Sequence, residues 1–204
     1  MNKSRFFCAL LPVLALSCAD SGGPVLVDAE WNLSCPSGGQ VGCASWAQET
    51  CIGNGGQRAI VGENGQPECG DAIVAICEAV QRADGMRDIT IEANVDRNQG
   101  SSPRFAFRLE VKIDSNDDSV DLCNVTITED GSSYGAIDQL GACGTEEPSI
   151  EQPCQLSNVS TEGNEVVFDV ECDALVNSTT GLAVDVGAVS GGATTIRFAN
   201  CTGF

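Results

Sequence analysis

Histidine is absent from the 204 residues. That removes the commonest general base, the commonest zinc ligand and every imidazole-based triad. Aromatic residues make up only 5%, and Trp31, Trp46 and Tyr134 are the only ones with a polar edge, too scattered for a sugar-stacking platform. Basic residues are scarce as well. Ten Lys and Arg stand against 29 Asp and Glu, a formal net charge of −19. Nucleic acids and anionic membrane surfaces are bound by clustered Lys and Arg, so both are excluded as partners. No apolar run is long enough to cross a bilayer as a helix. The longest, the eleven residues from Phe6 to Leu16, would span about half of a roughly 30 Å hydrocarbon core.

What is abundant is cysteine, with twelve residues. No Cys-x-x-Cys occurs. Cys35, Cys43 and Cys51 are eight apart, as are Cys69 and Cys77. Zinc sites use short paired spacings, usually with histidine, so the pattern predicts a disulfide framework in an oxidising compartment.

The start of the chain supports that address. Lys3 and Arg5 precede the apolar run, which ends at Ala15-Leu16-Ser17-Cys18. A basic start, a short apolar stretch and small residues at the cut predict a signal peptide over 1–17. A cysteine directly after such a run resembles the lipobox of bacterial lipoproteins, in which that cysteine is lipidated and becomes the mature N-terminus. Ala15 and Leu16 invert the usual order of the box, and Ala15 and Ser17 also suit an ordinary signal peptidase that leaves no lipid. Parity favours the lipid. Losing Cys8 and lipidating Cys18 leaves ten of the twelve cysteines, an even number: Cys35, Cys43, Cys51, Cys69, Cys77, Cys123, Cys143, Cys154, Cys172 and Cys201. Five bridges among ten cysteines connect in on the order of a thousand ways, so most of the map is illegible from sequence.

After the cut, residues 18–24 form a polar, Gly- and Ser-bearing tether, and 25–204 are expected to form one domain. The pattern is β throughout. Val25–Trp31 reads as a first strand, and 35–70 reads as a Gly-, Asn- and Cys-rich bridged loop region with a short strand at Arg58–Val61. Residues 71–83 suit either a helix face or the first arm of a hairpin. The Asp84-Gly85 turn and the clean alternation of Ile89, Ile91, Ala93 and Val95 favour the hairpin. Arg104–Ile113 puts Phe105, Phe107, Leu109, Val111 and Ile113 on one face. Val120–Thr128 puts Leu122 on one face and Cys123, Val125 and Ile127 on the other. Glu165–Cys172, Leu182–Val189 and Ala193–Ala199 complete the set. Short strands at regular intervals with Gly, Asn and Asp turns predict an all-β fold, an antiparallel β-sandwich of immunoglobulin-like or jelly-roll-like form.

One bridge follows from geometry. A five-residue hairpin loop at Thr161–Glu165 pairs Ser160 with Val166, Asn158 with Phe168, Leu156 with Val170 and Cys154 with Cys172. Opposed residues share a face at disulfide range, so Cys154–Cys172 is expected.

The segments Cys123-Asn-Val-Thr-Ile-Thr-Glu-Asp-Gly131, Tyr134, Gly141-Ala-Cys143-Gly and Pro153-Cys154-Gln-Leu, with the Trp31–Cys35 opening, resemble uncharacterised cysteine-rich secreted lipoproteins of myxobacterial type. The resemblance implies a bacterial envelope address and a disulfide-bonded β fold. It implies no reaction and no catalytic residue.

Asp114, Asn116 and Asp118 place oxygen ligands at alternate positions, as a calcium loop does, with Asp121 or Glu129 available to complete the shell. Ser119 and Val125 stand where an EF-hand needs Gly and Glu, so this is not an EF-hand; the alternative is a polar hairpin turn. Calcium is the only cofactor candidate. Five Asn-x-Ser/Thr triplets follow the leader, at Asn32, Asn124, Asn158, Asn177 and Asn200. In a eukaryotic secreted protein they would be glycan acceptors; behind a lipobox-like start they read as chance products of a Ser- and Thr-rich chain. Trp31 is expected in the core, packing on a bridge. With its cysteines paired and no histidine, the chain is expected to be non-enzymatic: an envelope lipoprotein held to the lipid bilayer through Cys18, with a surface binding or structural role toward an envelope or extracellular protein or glycan. The alternatives are a secreted hydrolase using unlocated carboxylates, and an unlipidated secreted glycoprotein or inhibitor-like module.

Overall fold

A computed structural model of the chain describes residues 23–36, 42–43, 56–68, 71–96, 105–114, 120–135 and 153–204. Every regular element among them is a β-strand: β1 Leu26–Ser34, β2 Gly42–Cys43, β3 Gln57–Glu63, β4 Pro67–Glu68, β5 Asp71–Gln81, β6 Met86–Asp96, β7 Phe105–Asp114, β8 Val120–Glu129, β9 Ser132–Gly135, β10 Cys154–Ser160, β11 Glu165–Val176, β12 Leu182–Gly187 and β13 Thr194–Ala199. Alternation drives this. In β1, Val27, Ala29, Trp31 and Leu33 are buried, while the residues between them face outward. The same two-residue period turns Ile73, Ala75, Cys77 and Ala79 of β5 and Ile89, Ile91, Ala93 and Val95 of β6 inward.

The ambiguous stretch after residue 71 is the first arm of a hairpin. β5 and β6 pair from Ala72–Asp96 to Gln81–Arg87. Their turn closes through Arg82 N–H to the Met86 carbonyl at 2.8 Å, with Gly85 at φ 90°. A left-handed residue is needed there, and glycine takes it without a Cβ penalty.

The fold is all-β, and its strand pairs are antiparallel apart from β2 with β12. The hydrogen-bonded path is continuous, so the layers are two halves of one folded-over sheet. One half runs β10–β11, then β13 and β12 side by side, then β1–β3; the other runs β9–β8–β7–β6–β5–β4. They join where Val176 of β11 pairs with Gly135 of β9. The inner faces meet through rings. Trp31 of β1 lies 6.1 Å from Phe105 and from Phe107 of β7, and Phe107 stacks on Phe168 of β11 at 6.1 Å. Each such buried apolar side chain contributes about 1.5–3 kcal/mol. Trp31 is thus a core residue as expected, but the partners seen packing on its ring are phenylalanines rather than a bridge.

β5 would otherwise present an open edge to any other strand. Instead it is covered along its length. Gly65 N–H bonds the Ile73 carbonyl, Ile73 N–H the Gln66 carbonyl, and Ala75 N–H the Asn64 side chain. Farther along, Thr202 N–H reaches the Cys77 carbonyl and Ala79 N–H reaches the Thr202 carbonyl. The Cys77–Cys201 disulfide fixes this arrangement across 124 residues. Arg87 lies over the Phe204 ring, 5.5 Å from its centroid.

A bulge revises the register expected for Val120–Thr128. Val111 pairs with Leu122 and Glu110 with Asn124, leaving Cys123 as an extra residue. Leu122 therefore packs on the core alongside Val125 and Ile127, not opposite them. On β11 an extra residue between Cys172 and Leu175, with Ala174 at φ 54°, lets both of those side chains face inward. Within the expected loop region of 35–70, β3 is longer than expected and pairs with β1 over seven residues.

Candidate functional site

Along one flank, β1 changes partner. Leu26–Ala29 pair with β13 and Asn32–Ser34 with β12, so the two strands part around Glu30 and Trp31. The Thr194 hydroxyl fills part of the gap by donating to the Glu30 carbonyl. The connection between β12 and β13 closes through Ala188 N–H to the Gly192 carbonyl at 2.8 Å and Gly191 N–H to the Ala188 carbonyl at 2.9 Å. Gly191 and Gly192 take φ 86° and 79°, values that a turn this sharp can assign only to glycine without strain. Beside this turn lies a cavity of about 480 Å³, bordered by Glu30 and Trp31 of β1, Gln57, Arg58 and Ala59 of β3, Ala188, Val189 and Ser190 of the turn, and Thr194 of β13. Val189 is 61% exposed.

The charges on this half of the sheet are unevenly compensated. Arg58, opposite Trp31 on β3, is fully enclosed and makes a bidentate pair with Glu129 of β8, Nε to Oε2 at 2.9 Å and Nη2 to Oε1. Arg197 on β13 makes a second bidentate pair with Glu165, at 2.8 and 2.7 Å. This hydrogen bond holds the Glu165 carboxyl below the usual carboxylate range. Asp169 accepts from the Thr195 hydroxyl at 2.5 Å and from Asn158 at 2.6 Å, and both bonds lower its pKa. Glu30 is exposed, and among the described residues no basic side chain pairs with it.

A second polar cluster sits on the outer face of the other half. Arg108 bonds Glu110 at 2.6 Å and Glu92 at 3.1 Å. The Glu110 hydrogen bond is the main cause of the raised Arg108 pKa. Both carboxylates are held by one guanidinium. Glu110 is the more buried of the two, and its Oε2 has no hydrogen-bond partner.

No family model, curated protein or solved structure matches the chain.

Of the residues singled out in the sequence, Cys154 and Cys172 are joined by a disulfide and directly opposed in the β10–β11 register. Cys77 and Cys201 are joined as well, and Cys35 is disulfide-bonded. Cys18, Cys51, Cys69, Cys143, Asn116 and Asp118 lie outside the described residues, as do the side chains of Cys43, Asp114 and Cys123. Glu129 does not complete a calcium shell at 114–118. It ends the ten-residue strand that begins at Val120, roughly 30 Å away, and is paired with Arg58. Among the described residues no group of three or more His, Cys, Asp or Glu is placed to hold a metal.

The asparagine triplets have local work. Asn177 accepts from Thr179 and Thr180 N–H at 3.0 and 2.9 Å and donates to the Ser133 carbonyl. Asn158 and Asn200 occupy left-handed backbone at φ 52° and 59°, where asparagine is tolerated best after glycine. Sequence reasoning missed Glu30. The only local signal was the glycine-rich break at Gly187–Gly192 between two strand patterns, which marks a turn and says nothing of what the turn faces.

Proposed function

We propose that the chain is an exported envelope lipoprotein, anchored through Cys18, whose β domain is a non-enzymatic binding module akin to uncharacterised cysteine-rich secreted lipoproteins of myxobacterial type. The observation that carries the reading is the pair of buried disulfides. Cys77–Cys201 and Cys154–Cys172 are built into strand pairings of the core. Such bridges form and persist in oxidising compartments outside the cytoplasm. The basic, apolar leader ending on Cys18 supplies a route there, and the even number of cysteines after it favours lipidation over a free thiol. A lipoprotein anchor carries several acyl chains, each buried CH₂ adding about 0.8 kcal/mol of membrane affinity, enough to hold an acidic domain at a repelling surface. The exposed cavity beside Glu30 gives the domain a place to bind, and the partner is an envelope or extracellular protein or glycan, or a small molecule presented there.

The test is phase separation of the expressed protein with a cloud-point detergent, together with the mass of its N-terminus. The wild type should enter the detergent phase with an acylated Cys18, and Cys18→Ala should move it to the soluble exported fraction. A wild type that is already soluble with an unmodified N-terminus overturns the anchor.

A further inference from the structure

We propose that the cavity beside Glu30 binds a small organic cation with an apolar body, the Glu30 carboxylate supplying the counter-charge and Ala59, Ala188 and Val189 the walls. The inference deepens the binding-module reading and rests on it. The volume, about 480 Å³, falls in the range of small-ligand sites. Its lining mixes apolar side chains (Trp31, Ala59, Ala188, Val189) with polar ones (Gln57, Ser190, Thr194) and two charged ones, Glu30 and Arg58. The sign of that charge is decided by which neighbours are cancelled. Arg58 is taken by Glu129 and Arg197 by Glu165, so neither guanidinium is left over for an anion. Glu30 has no such partner among the described residues, and Asp28 and Asp169 lie on the same half of the sheet. A chain of net charge −19 also concentrates cations and repels anions near its surface. A bare metal ion is the poorer occupant, because one carboxylate among alanine and valine does not make a coordination shell. An ammonium group hydrogen-bonded to Glu30 places its alkyl part against Val189, Ala59 and Ala188. In the turn that carries Val189, an added Cβ at Gly191 or Gly192 would meet nothing within 4 Å, so that side of the turn is open.

The experiment uses the full-length protein in mild detergent at about 0.15 M salt, where diffuse surface attraction is screened. The probe is n-butylammonium, with butyrate and glucose as comparisons, followed by calorimetry and by amide shifts of Ala188–Ser190. Butylammonium should bind saturably in the millimolar range, and butyrate and glucose should not. Glu30→Gln should weaken binding about tenfold or more, as loss of a charged hydrogen-bond partner does. Asp28→Asn, which removes an exposed charge two residues away, should change it less than about twofold. Unchanged melting of both variants shows that the fold is intact. The proposal is overturned if butylammonium fails to saturate by about 20 mM, if Glu30→Gln binds as the wild type does, or if Asp28→Asn loses as much as Glu30→Gln. Binding of glucose in place of butylammonium overturns it in favour of a glycan ligand. None of these outcomes moves the protein between detergent and water, so failure here is separable from failure of the Cys18 anchor.

Discussion

Arg58 and Glu129 are 71 residues apart and meet as an enclosed, bidentate ion pair that ties one half of the sheet to the other. Arg58 stands opposite Trp31 on β3, and Glu129 ends β8 just before the Asp130-Gly131 turn. The guanidinium also donates to the Gln57 carbonyl at 2.7 Å. Buried charges survive only when paired and hydrogen-bonded in this way. The same carboxylate adds to the raised pKa of Tyr134, although desolvation is the larger cause there.

Removing one partner should be far worse than removing both. Glu129→Ala is expected to cost about 3–5 kcal/mol, because it strands a buried guanidinium. Arg58→Met with Glu129→Leu should recover most of that loss. Urea denaturation of the three proteins decides it. A double variant no better than the single one would show that shape, not charge, holds the site.

The two described bridges should differ in worth. In the loop-entropy picture, closing a 124-residue separation stabilises by about 5 kcal/mol and closing 18 residues by about 3. Cys77→Ala with Cys201→Ala is therefore expected to lower the denaturation midpoint more than Cys154→Ala with Cys172→Ala. The reverse order would mean that the covering of the β5 edge does not depend on its disulfide.

Acid should destabilise the sheet through Asp169 and Glu165. Both carboxyls have lower pKa values in the folded chain than in the unfolded one. The unfolded state then binds more protons as pH falls, so their contribution is present above the ordinary carboxylate range and is lost as pH falls through their lowered folded values. Asp169→Asn should flatten that part of the melting-temperature profile. A profile with the wild-type slope would assign the acid sensitivity elsewhere.

Gly203 offers the sharpest single-residue test. It sits at φ 86°, and a Cβ added there would lie 1.9 Å from the Ala79 carbonyl oxygen. Gly203→Ala is expected to cost about 1–3 kcal/mol or more, and to speed hydrogen exchange at the Ala79 amide, which is bonded to the Thr202 carbonyl. Retained protection there would show that the segment docks without the glycine.

The strands were legible wherever alternation ran unbroken, as in β6, β7 and the first part of β11. The Cys154–Cys172 bridge was reached by a count that contained two errors of opposite sign. Ser160 pairs with Val167 rather than Val166, and a bulge with Asn158 at φ 52° then absorbs one residue, so Leu156 and Cys154 meet the partners expected of them. Bulges are what a strict two-residue period cannot register, and the misplaced Leu122 has the same origin. Glu30 was illegible for another reason. Its cavity exists because β12 and β13 separate along β1, an event set by strands more than 150 positions later in the chain. The Arg58–Glu129 pair is hidden likewise, since neither residue has a local pattern that points to the other.

The segment Cys201–Phe204 lies along β5, a strand begun at Asp71. A chain that emerges N-terminus first from a ribosome or through a translocation pore presents β5 long before its cover. Over that interval the Cys77–Ala79 stretch of the edge is bare and Cys77 lacks its final partner. Native closure is thus tied to the arrival of Cys201 and to an oxidant meeting it there.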